Sequence, residues 1–386
     1  MTKAAFICSA DLWQRGHGAA HPLKPERLQR TYELLAAYGA FDGQESMLVQ
    51  PRQATCEEIG LFHTEEYVEA VRSLSQGERR FNPSRYNFGP GDNPVFPEMY
   101  DTEALKIGST LVAAELVTSD QADAAFSFGG GLHHAGPAHA SGFCVFNDAA
   151  VAIHWLLQKG LRVAYIDIDA HHGDGVQNAF YETDGVLTIS LHESGLYLFP
   201  GTGFVEEMGR GMGRGYAVNL PFAPYTDDEV YLWAFEEIVP PLVRRFQPDI
   251  VASQLGVDTH YRDPLTHLCL TTSGYVAAVT TIKELAPRWL ALGGGGYDVD
   301  VVARAWTLAY GVMSGQEFPD NLPSAYAKKY GQGPSTSPWP FGPGPKGSGH
   351  RSLRDREKPR ISSELREQAR RYAEASVAAL RRALEI

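Results

Sequence analysis

Val163-Ala-Tyr-Ile-Asp-Ile-Asp-Ala-His-His-Gly-Asp-Gly-Val-Gln177 is the stretch of the sequence that decides the fold. Its first part, Val163 to Ile168, is an apolar run that predicts a strand buried on both faces of a sheet. Gly173 and Gly175 then break the strand and start a turn. A strand of this kind is typical of a parallel sheet whose two faces are both covered by helices.

Five ionisable residues follow or end this strand, and they are Asp167, Asp169, His171, His172 and Asp174. In an extended chain, residues two apart point the same way, so three of the five can project from one side. Unpaired charges at that position would cost about several kcal/mol each unless a cation or a hydrogen-bond partner met them. The alternative is a solvated turn with a helix cap at Asp174, but a turn needs no such cluster. The stretch therefore predicts half of a metal site.

The composition limits the class of protein. The chain has 386 residues, 44% of them apolar, and a formal net charge of −12, which argues against a nucleic-acid binder. Its four cysteines lie far apart, which favours reduced thiols in a cytoplasmic enzyme over a disulfide scaffold or a zinc ribbon. The N-terminus does not resemble a signal peptide, and the longest apolar run, Ala149 to Leu157, is too short to span a bilayer. We therefore expect no membrane partner.

Short apolar runs alternate with helical periods along most of the chain. The predicted strands are Ala4–Cys8, Ala124–Ser127, Val163–Ile168, Val186–Leu191, Ile250–Gln254 and Trp289–Leu292. The predicted helices are Pro25–Tyr38, Thr64–Leu74, Glu103–Val117, Asp148–Gln158, Asp227–Phe246, Ser273–Leu285 and Val301–Met313. This alternation predicts an α/β fold with a mostly parallel sheet and helices on both faces, all within one large domain over residues 1–330.

The last part of the chain differs in composition. Residues 331–350 are rich in Gly, Pro and Ser and predict a connection, and Ser362–Leu384 has the apolar spacing of an amphipathic helix. Residues 351–386 carry ten Lys or Arg and six Asp or Glu, so this tail is net +4 while the rest is −16. We expect the helix either to dock on the acidic body or to pair in an oligomer.

Four segments place polar residues or glycines directly after a strand, where ligands bind in open parallel sheets. They are Phe128-Gly-Gly-Gly-Leu-His133-His134, the opening stretch, Leu255-Gly-Val-Asp258-Thr-His260 and Leu292-Gly-Gly-Gly-Gly-Tyr297. Asp169, His171 and Asp258 form a candidate set of three ligands, which with an open fourth position is the catalytic zinc arrangement. The glycines before Tyr297 could also form a tight turn or a phosphate loop, but the spacing of a nucleotide-binding loop is absent.

The same segments resemble those of the zinc-dependent histone deacetylase family, in its class I-like and bacterial acetoin-utilization branch. The motifs that carry the resemblance are His133-His134-Ala135, Ala140-Ser-Gly-Phe143-Cys-Val-Phe-Asn147-Asp148, Asp167-Ile-Asp-Ala-His-His-Gly-Asp174-Gly, Gly256-Val-Asp258 and Gly293-Gly-Gly-Gly-Tyr297. The resemblance covers roughly residues 4–320, and it implies the arginase/deacetylase-like fold with the active site at the carboxyl ends of the strands. It makes residues 1–330 a deacetylase catalytic domain.

The resemblance also implies a role for each matching residue. The zinc ligands are Asp169, His171 and Asp258, and the catalytic residues are His133 with its partner Asp167, His134 with its partner Asp174, and Tyr297. The acyl-lysine tunnel and its rim correspond to Asp92, Gly142, Phe143, Phe199 and Leu265. A structural potassium ion corresponds to Asp167, Asp169, His171, Ser190 and Leu191, and an exit channel for acetate to Arg27. His260 is expected near the rim.

The implied activity is hydrolysis of the amide that joins an acetyl or short acyl group to the side-chain amine of a protein lysine. One zinc ion per chain would polarise the amide carbonyl and activate water, and Fe²⁺ is an alternative metal. The sequence does not choose between His133 and His134 as the base. Acetylpolyamines or other small acetylated amines are alternative substrates. Two remoter hypotheses are a two-manganese ureohydrolase of the arginase kind and an inactive module that binds acyl-lysine.

Overall fold

In this computed structural model of the protein, residues 3–330 and 352–386 are described. The predicted connection over residues 331–350 lies outside the described residues, so the division into domain, connection and tail stays a prediction. Among the described residues no helix is both long enough and apolar enough to cross a membrane.

Eight strands form one sheet in the described part of the chain, and every pairing in it is parallel. The strands are β1 (Ala4–Ile7), β2 (Ser46–Val49), β3 (Ala124–Ser127), β4 (Val163–Asp167), β5 (Val186–Glu193), β6 (Ala217–Phe222), β7 (Ile250–Gln254) and β8 (Trp289–Leu292). Their order across the sheet is β2-β1-β3-β8-β7-β4-β5-β6. The predicted parallel sheet is confirmed, and the two strands that were not predicted, β2 and β6, are its two edges.

Helices cover both faces of this sheet. They are α1 (Glu26–Ala37), α2 (Cys56–Ile59), α3 (Glu65–Ser75), α4 (Met99–Thr118), α5 (Asp148–Gln158), α6 (Asp174–Ala179), α7 (Asp228–Phe246), α8 (Thr272–Leu285), α9 (Val299–Ser314), α10 (Ser324–Tyr330) and α11 (Ser363–Leu384). In β1, β3, β4, β7 and β8, alternate residues belong to different cores. Phe6 and Phe126 belong to the core that includes residues of α1, α7, α8 and α9, whereas Ala5 and Ala125 belong to the core that includes residues of α3, α4 and α5. The chain is a single α/β domain with the predicted architecture.

The C-terminal helix α11 lies against the body of the protein. It packs on α7 and on the edge strand β6, and Ala373, Val377 and Leu380 on its apolar face are buried. Arg366 on this helix pairs with Asp227 at 2.8 Å, and Arg381 pairs with Glu237. The predicted docking of a basic helix on an acidic body is therefore confirmed. An oligomer formed through this helix stays a prediction.

Candidate active site

The four segments that were expected to converge do so, and they meet at the carboxyl ends of the strands. They follow β3, β8, β7 and β4, which are consecutive strands in the centre of the sheet. Because all four strands are parallel, their carboxyl ends lie side by side, and the polar residues that follow them share one crevice. The crevice holds the predicted metal ligands, both predicted histidines and Tyr297.

Asp169, His171 and Asp258 form a buried cluster with one ligand atom each within 4.8 Å of the others. His171 Nδ1 lies 3.1 Å from Asp169 Oδ1 and 3.0 Å from Asp258 Oδ2. Burial disfavours an imidazolium here, but hydrogen bonds to the two carboxylates outweigh it and raise the pKa of His171 well above its usual value. Two buried carboxylates thus favour a cation at this point. Two oxygen ligands and one nitrogen ligand suit Zn²⁺ or a similar divalent metal, so the residues fit the implied metal.

Hydrogen bonds from neighbouring groups fix the orientation of the two ligand carboxylates. Asp169 Oδ2 accepts from Gln254 Nε2 at 2.6 Å and from the Gly295 amide at 2.7 Å. Asp258 Oδ1 accepts from the amide of Ala170 at 2.8 Å. Hydrogen bonds of this kind hold a ligand in the orientation that metal binding requires. Gln254 was not predicted from the sequence. The one feature that could have indicated it is its position as a polar residue at the end of an apolar strand.

The adjacent histidines each have the carboxylate partner that was expected. His133 Nδ1 lies 2.7 Å from Asp167 Oδ2, and His134 Nδ1 lies 2.7 Å from Asp174 Oδ1. The other nitrogens of the two rings, both Nε2, lie 3.1 Å apart, within hydrogen-bond distance of each other. Each imidazole is therefore held by one nitrogen and presents the other to the crevice.

The environments of the two histidines shift their pKa values in opposite directions. Burial lowers the pKa of His133, but the charges of Asp167 and Asp169 outweigh it and raise the value to about 9. Burial and the neighbouring charge of His133 lower the pKa of His134 to about 4, although the hydrogen bond that its Nδ1 makes to the Asp174 carboxylate acts to raise it. Two adjacent imidazoles with separated pKa values can divide acid and base work between them.

Tyr297 enters the crevice from the glycine loop after β8. Its ring centroid lies 6.4 Å from that of His171, and its amide donates to Asp263 Oδ2 at 2.8 Å. Burial, together with the charges of Asp258 and Asp169, raises the pKa of the Tyr297 hydroxyl well above 10, so it stays a donor. The glycines allow close approach: a Cβ at position 295 would lie 2.1 Å from Asp258 Oδ2. The close contact with Asp258 accounts for the glycine at position 295 without a role in phosphate binding.

Gly142 and Phe143 form one wall of a narrow cavity that leads to the site. Both have left-handed backbone, with φ of 49° and 70°. A Cβ at position 142 would lie 2.3 Å from the ring of His134, so a side chain there would close the cavity. Phe143 lies edge-on to Tyr297, with centroids 5.7 Å apart, and Phe199 lies edge-on to His134 at 5.0 Å. The cavity is lined by both histidines, Gly142, Phe143, Asp169 and Tyr297.

The other residues assigned to the tunnel lie outside its walls. Asp92 is exposed, its carbonyl accepts from His21, and the adjacent Asn93 holds the Phe143 amide at 3.0 Å. Leu265 is half-buried and donates its amide to Asp263. In the described structure neither residue lines the cavity itself. The roles predicted for them, Asp92 at the rim and Leu265 in the tunnel wall, stay predictions.

The predicted potassium residues lie on the neighbouring strands β4 and β5. Asp167 pairs with Ser190 in the register of the two strands, and the hydroxyl of Ser190 lies 2.8 Å from His192 Nδ1. Leu191 is buried beside it. The strands thus bring together Asp167, Asp169, His171, Ser190 and Leu191 at one end of the sheet. A potassium ion on these residues stays a prediction.

Arg27 is buried below the glycine loop, on the face of the sheet covered by α1. Its guanidinium donates to the carbonyls of Gly294 at 2.6 Å and Gly296 at 3.2 Å, and it lies over the ring of Trp306. Burial lowers its pKa, whereas Tyr297 and Asp258 act to raise it. The structure thus places Arg27 behind the site. Its role in an exit channel is untested.

His260 was predicted to lie near the rim, but the structure buries it elsewhere. Its side chain is 3% exposed, and Nε2 lies 2.8 Å from a carboxylate oxygen of Asp355, which belongs to the C-terminal tail. The prediction was wrong because it placed His260 by its distance along the chain from Asp258. The tertiary contact with the tail left no local signal in the sequence. Asp263, which holds the Tyr297 amide, was also not predicted.

Comparisons with known proteins agree on one family. The family model described as "Histone deacetylase domain" matches residues 21–313. The acetoin utilization protein AcuC of Bacillus subtilis is 41% identical over 338 residues, which are 86% of this chain and 87% of that protein. Human histone deacetylase 1 is 39% identical over 324 residues, 83% of this chain and 66% of that protein. The crystal structure of a histone deacetylase homologue from Aquifex aeolicus has a TM-score of 0.86 at 33% identity, covering 97% of this chain and 100% of that one.

Proposed function

The chain belongs to the histone deacetylase family, and on that premise we propose that it removes acetyl or short acyl groups from lysine side chains of proteins in a zinc-dependent reaction. It is a deacetylase, and therefore a hydrolase of amide bonds. The observation that supports the finer proposal is the buried cluster of Asp169, His171 and Asp258 beside two carboxylate-paired histidines and Tyr297.

Asp169, His171 and Asp258 would hold the metal. When bound, a zinc ion supplies Lewis-acid polarisation of the amide carbonyl and lowers the pKa of water. Two carboxylate ligands offset its charge, so the surrounding residues must contribute to catalysis. Gln254 and the amides of Ala170 and Gly295 keep the ligand oxygens in place through the hydrogen bonds described above.

His134 is the proposed general base. It lines the cavity, it is neutral at neutral pH because its pKa is lowered to about 4, and Asp174 orients its ring. A neutral imidazole can accept the proton of the attacking water at Nε2. His133, whose pKa is raised to about 9, then presents a cationic ring to the charge that develops in the transition state and to the leaving amine. The distance of 3.1 Å between the two Nε2 atoms supports the proposal that both rings act on one reacting group.

Tyr297 is the proposed donor to the oxygen of the tetrahedral intermediate. Its hydroxyl remains protonated because burial and the ligand carboxylates raise its pKa well above 10. A fixed donor of this kind stabilises a transition state by about 3 kcal/mol. The hydrogen bond from the Tyr297 amide to Asp263 keeps the flexible glycine loop from moving the ring away.

An exposed apolar surface beside the cavity supports a peptide substrate. Leu196, Tyr197 and Phe199 are 66%, 54% and 44% exposed, and Phe199 contacts the ring of His134. Exposed apolar side chains grouped at a binding site favour contact with a partner, here the residues that flank the acylated lysine. An acetylpolyamine has no such residues, and it is the alternative substrate.

One experiment tests the metal and the substrate class together. Purified protein should contain about one zinc or iron per chain, lose turnover with a chelator and regain it when the metal returns. It should hydrolyse acetyl-lysine peptides with a higher kcat/KM than acetylpolyamines. A reversed preference would transfer the assignment to small acetylated amines. Absence of turnover on both, with metal bound, would contradict the proposed function and favour the module that only binds acyl-lysine.

The remaining predictions concern the setting of the enzyme. We propose that it acts in the cytoplasm, which the four free cysteines of the described chain support. We also propose that nucleic acid is not a partner, because the chain is acidic overall.

A further inference from the structure

One loop carries two parts of the candidate active site. It begins at the metal ligand Asp258 and ends at Asp263, which holds the amide of Tyr297 at 2.8 Å. His260 lies between them: its amide donates to Val257, and its carbonyl accepts from the amide of Asp263 at 2.8 Å. A displacement of His260 would therefore move the ligand at one end of the loop and the tyrosine anchor at the other.

His260 is held by Asp355 from the C-terminal tail. One carboxylate oxygen of Asp355 lies 2.8 Å from His260 Nε2 and accepts from the amide of Thr272 at 2.8 Å. The other accepts from Arg304 at 2.9 Å. The side chains of His260, Asp355 and Arg304 are only 3%, 4% and 2% exposed. Removal of the Asp355 carboxylate would leave the buried Arg304 guanidinium without this counter-ion and His260 Nε2 without this hydrogen bond, which is costly.

Arg304 connects the same carboxylate to the other side of the site. It lies on α9, which begins two residues after Tyr297, and its guanidinium also donates to the carbonyl of Leu353. Leu353 is fully buried. Both of these Arg304 contacts come from residues 353–355, a short segment of the tail. Asp355 thus joins the loop after β7 to the helix after β8.

We propose that Asp355 is a positioning residue for the active site: through His260 and Arg304 it sets the placement of Asp258 and Tyr297. The inference rests on the proposed roles of those two residues. It assigns a function to a segment that lies beyond the matched family region, residues 21–313. The tail would then complete the catalytic centre and would not only cover the surface.

The competing explanation is that Asp355 merely docks the tail. Asp320 offers a matched control, because it anchors the same segment through different contacts. Its carboxylate accepts from the hydroxyl of Ser352 at 2.6 Å and from the amide of Arg354 at 2.9 Å. In the described structure, the hydrogen bonds and ion pairs of Asp320 do not include His260 or Arg304. If Asp355 only docked the tail, Asp355→Asn would cost more stability than Asp320→Asn, because the Asp355 side chain is 4% and that of Asp320 41% exposed, but the folded protein would keep its metal affinity and kcat.

The test compares Asp355→Asn and Asp320→Asn in the full-length protein. Zn²⁺ affinity is measured by competition with a chelator, and kcat and KM are measured on an acetyl-lysine peptide. We expect Asp355→Asn to weaken metal affinity or to lower kcat by about 10- to 100-fold, with KM nearly unchanged, while Asp320→Asn stays near wild type. Equal effects of the two variants, or wild-type values for Asp355→Asn, would overturn the proposal.

His260 provides a second route if Asp355→Asn does not fold, as judged by circular dichroism. His260→Gln keeps a side-chain N–H that can donate to Asp355, whereas His260→Leu does not. We expect the glutamine variant to retain more metal affinity and a higher kcat than the leucine variant. Equal losses would mean that the hydrogen bond to Asp355 is not what matters. The affinity measurement needs no turnover, so it tests the role of Asp355 even if the proposed substrate class is wrong.

Discussion

Gly256 offers a direct test of how the metal ligands are held. It follows β7, and a Cβ at this position would lie 2.2 Å from Asp169 Oδ2 and 2.7 Å from its Cγ. The backbone φ of Gly256 is not in the left-handed region, so alanine is acceptable to the backbone and only the methyl group is in conflict. Gly256→Ala is therefore expected to displace one metal ligand, the Asp169 carboxylate, without straining the backbone at position 256.

The size of that push follows from the contact distances. An ordinary contact between a methyl carbon and an oxygen needs roughly 3.2 Å or more, so the carboxylate must retreat by about 1 Å. It cannot retreat freely, because Oδ2 is held by Gln254 and the Gly295 amide at 2.6 and 2.7 Å. A misplacement of about 1 Å at a catalytic centre costs about 100-fold in rate. The added methyl should destabilise the fold by only about 1–3 kcal/mol.

The assay measures kcat/KM on an acetyl-lysine peptide, Zn²⁺ affinity by chelator competition, and unfolding by urea. Gly89→Ala is the matched control, because a Cβ at position 89 has no neighbour within 4 Å and its backbone φ is also ordinary. We expect Gly256→Ala to stay folded while losing turnover and metal affinity, and Gly89→Ala to match wild type. Normal turnover and affinity for Gly256→Ala would refute the reasoning that Asp169 is fixed by this packing.

Three further predictions concern the tyrosine, a buried histidine and the apolar surface. Tyr297→Phe should lower kcat by about 10²–10³-fold with unchanged metal content by elemental analysis; near-normal turnover would remove the hydroxyl from the mechanism. Burial lowers the pKa of His63 to about 3, so the folded state keeps this ring neutral and stability is lost as pH falls below about 6.5, where the unfolded chain takes up a proton. The stability advantage of wild type over His63→Gln, measured by urea unfolding, should therefore shrink by about 2 kcal/mol between pH 7 and pH 5, and a constant difference would contradict the burial of a neutral ring. Leu196→Glu should raise KM about fivefold for peptides with an apolar residue beside the acetyl-lysine, because it removes about 1 kcal/mol of apolar contact. The KM of a minimal acetyl-lysine amide should not change. Equal effects on both substrates would mean that the apolar surface of Leu196, Tyr197 and Phe199 does not recognise the peptide.

The sheet was predictable where its strands are buried on both faces. β3, β4, β7 and β8 are short apolar runs followed by glycine or polar residues, and their predicted bounds agree with the structure to within one residue. The strands that were missed, β2 and β6, lie at the two edges. β2 has only four residues, most of them partly exposed, and β6 contains Asn219 and Pro221. Edge strands need not be apolar throughout, so their sequence signal is weak.

In the candidate site, too, only some of the residues could be predicted from the sequence. The convergence of four strand ends followed from the rule for parallel sheets, and the family resemblance supplied the partners of His133 and His134 that the structure brings to 2.7 Å. The support around them could not be predicted. Asp263 and Asp355 act through contacts that depend on how the tail and the loops meet in three dimensions, and neither residue belongs to a local pattern.

The order of the strands has a consequence for synthesis on the ribosome. β8 lies between β3 and β7, so in the sheet of the described residues the group β2-β1-β3 and the group β7-β4-β5-β6 are connected by strand pairing only through β8. β8 is also the last strand of the described chain to be made. If strands assemble before it emerges, the nascent chain would carry two separate groups of strands whose inner edges, the sides of β3 and β7, have unpaired backbone groups. Such edges can pair with other chains, so we expect the interval before β8 is made to be a time of exposure to aggregation and to chaperones.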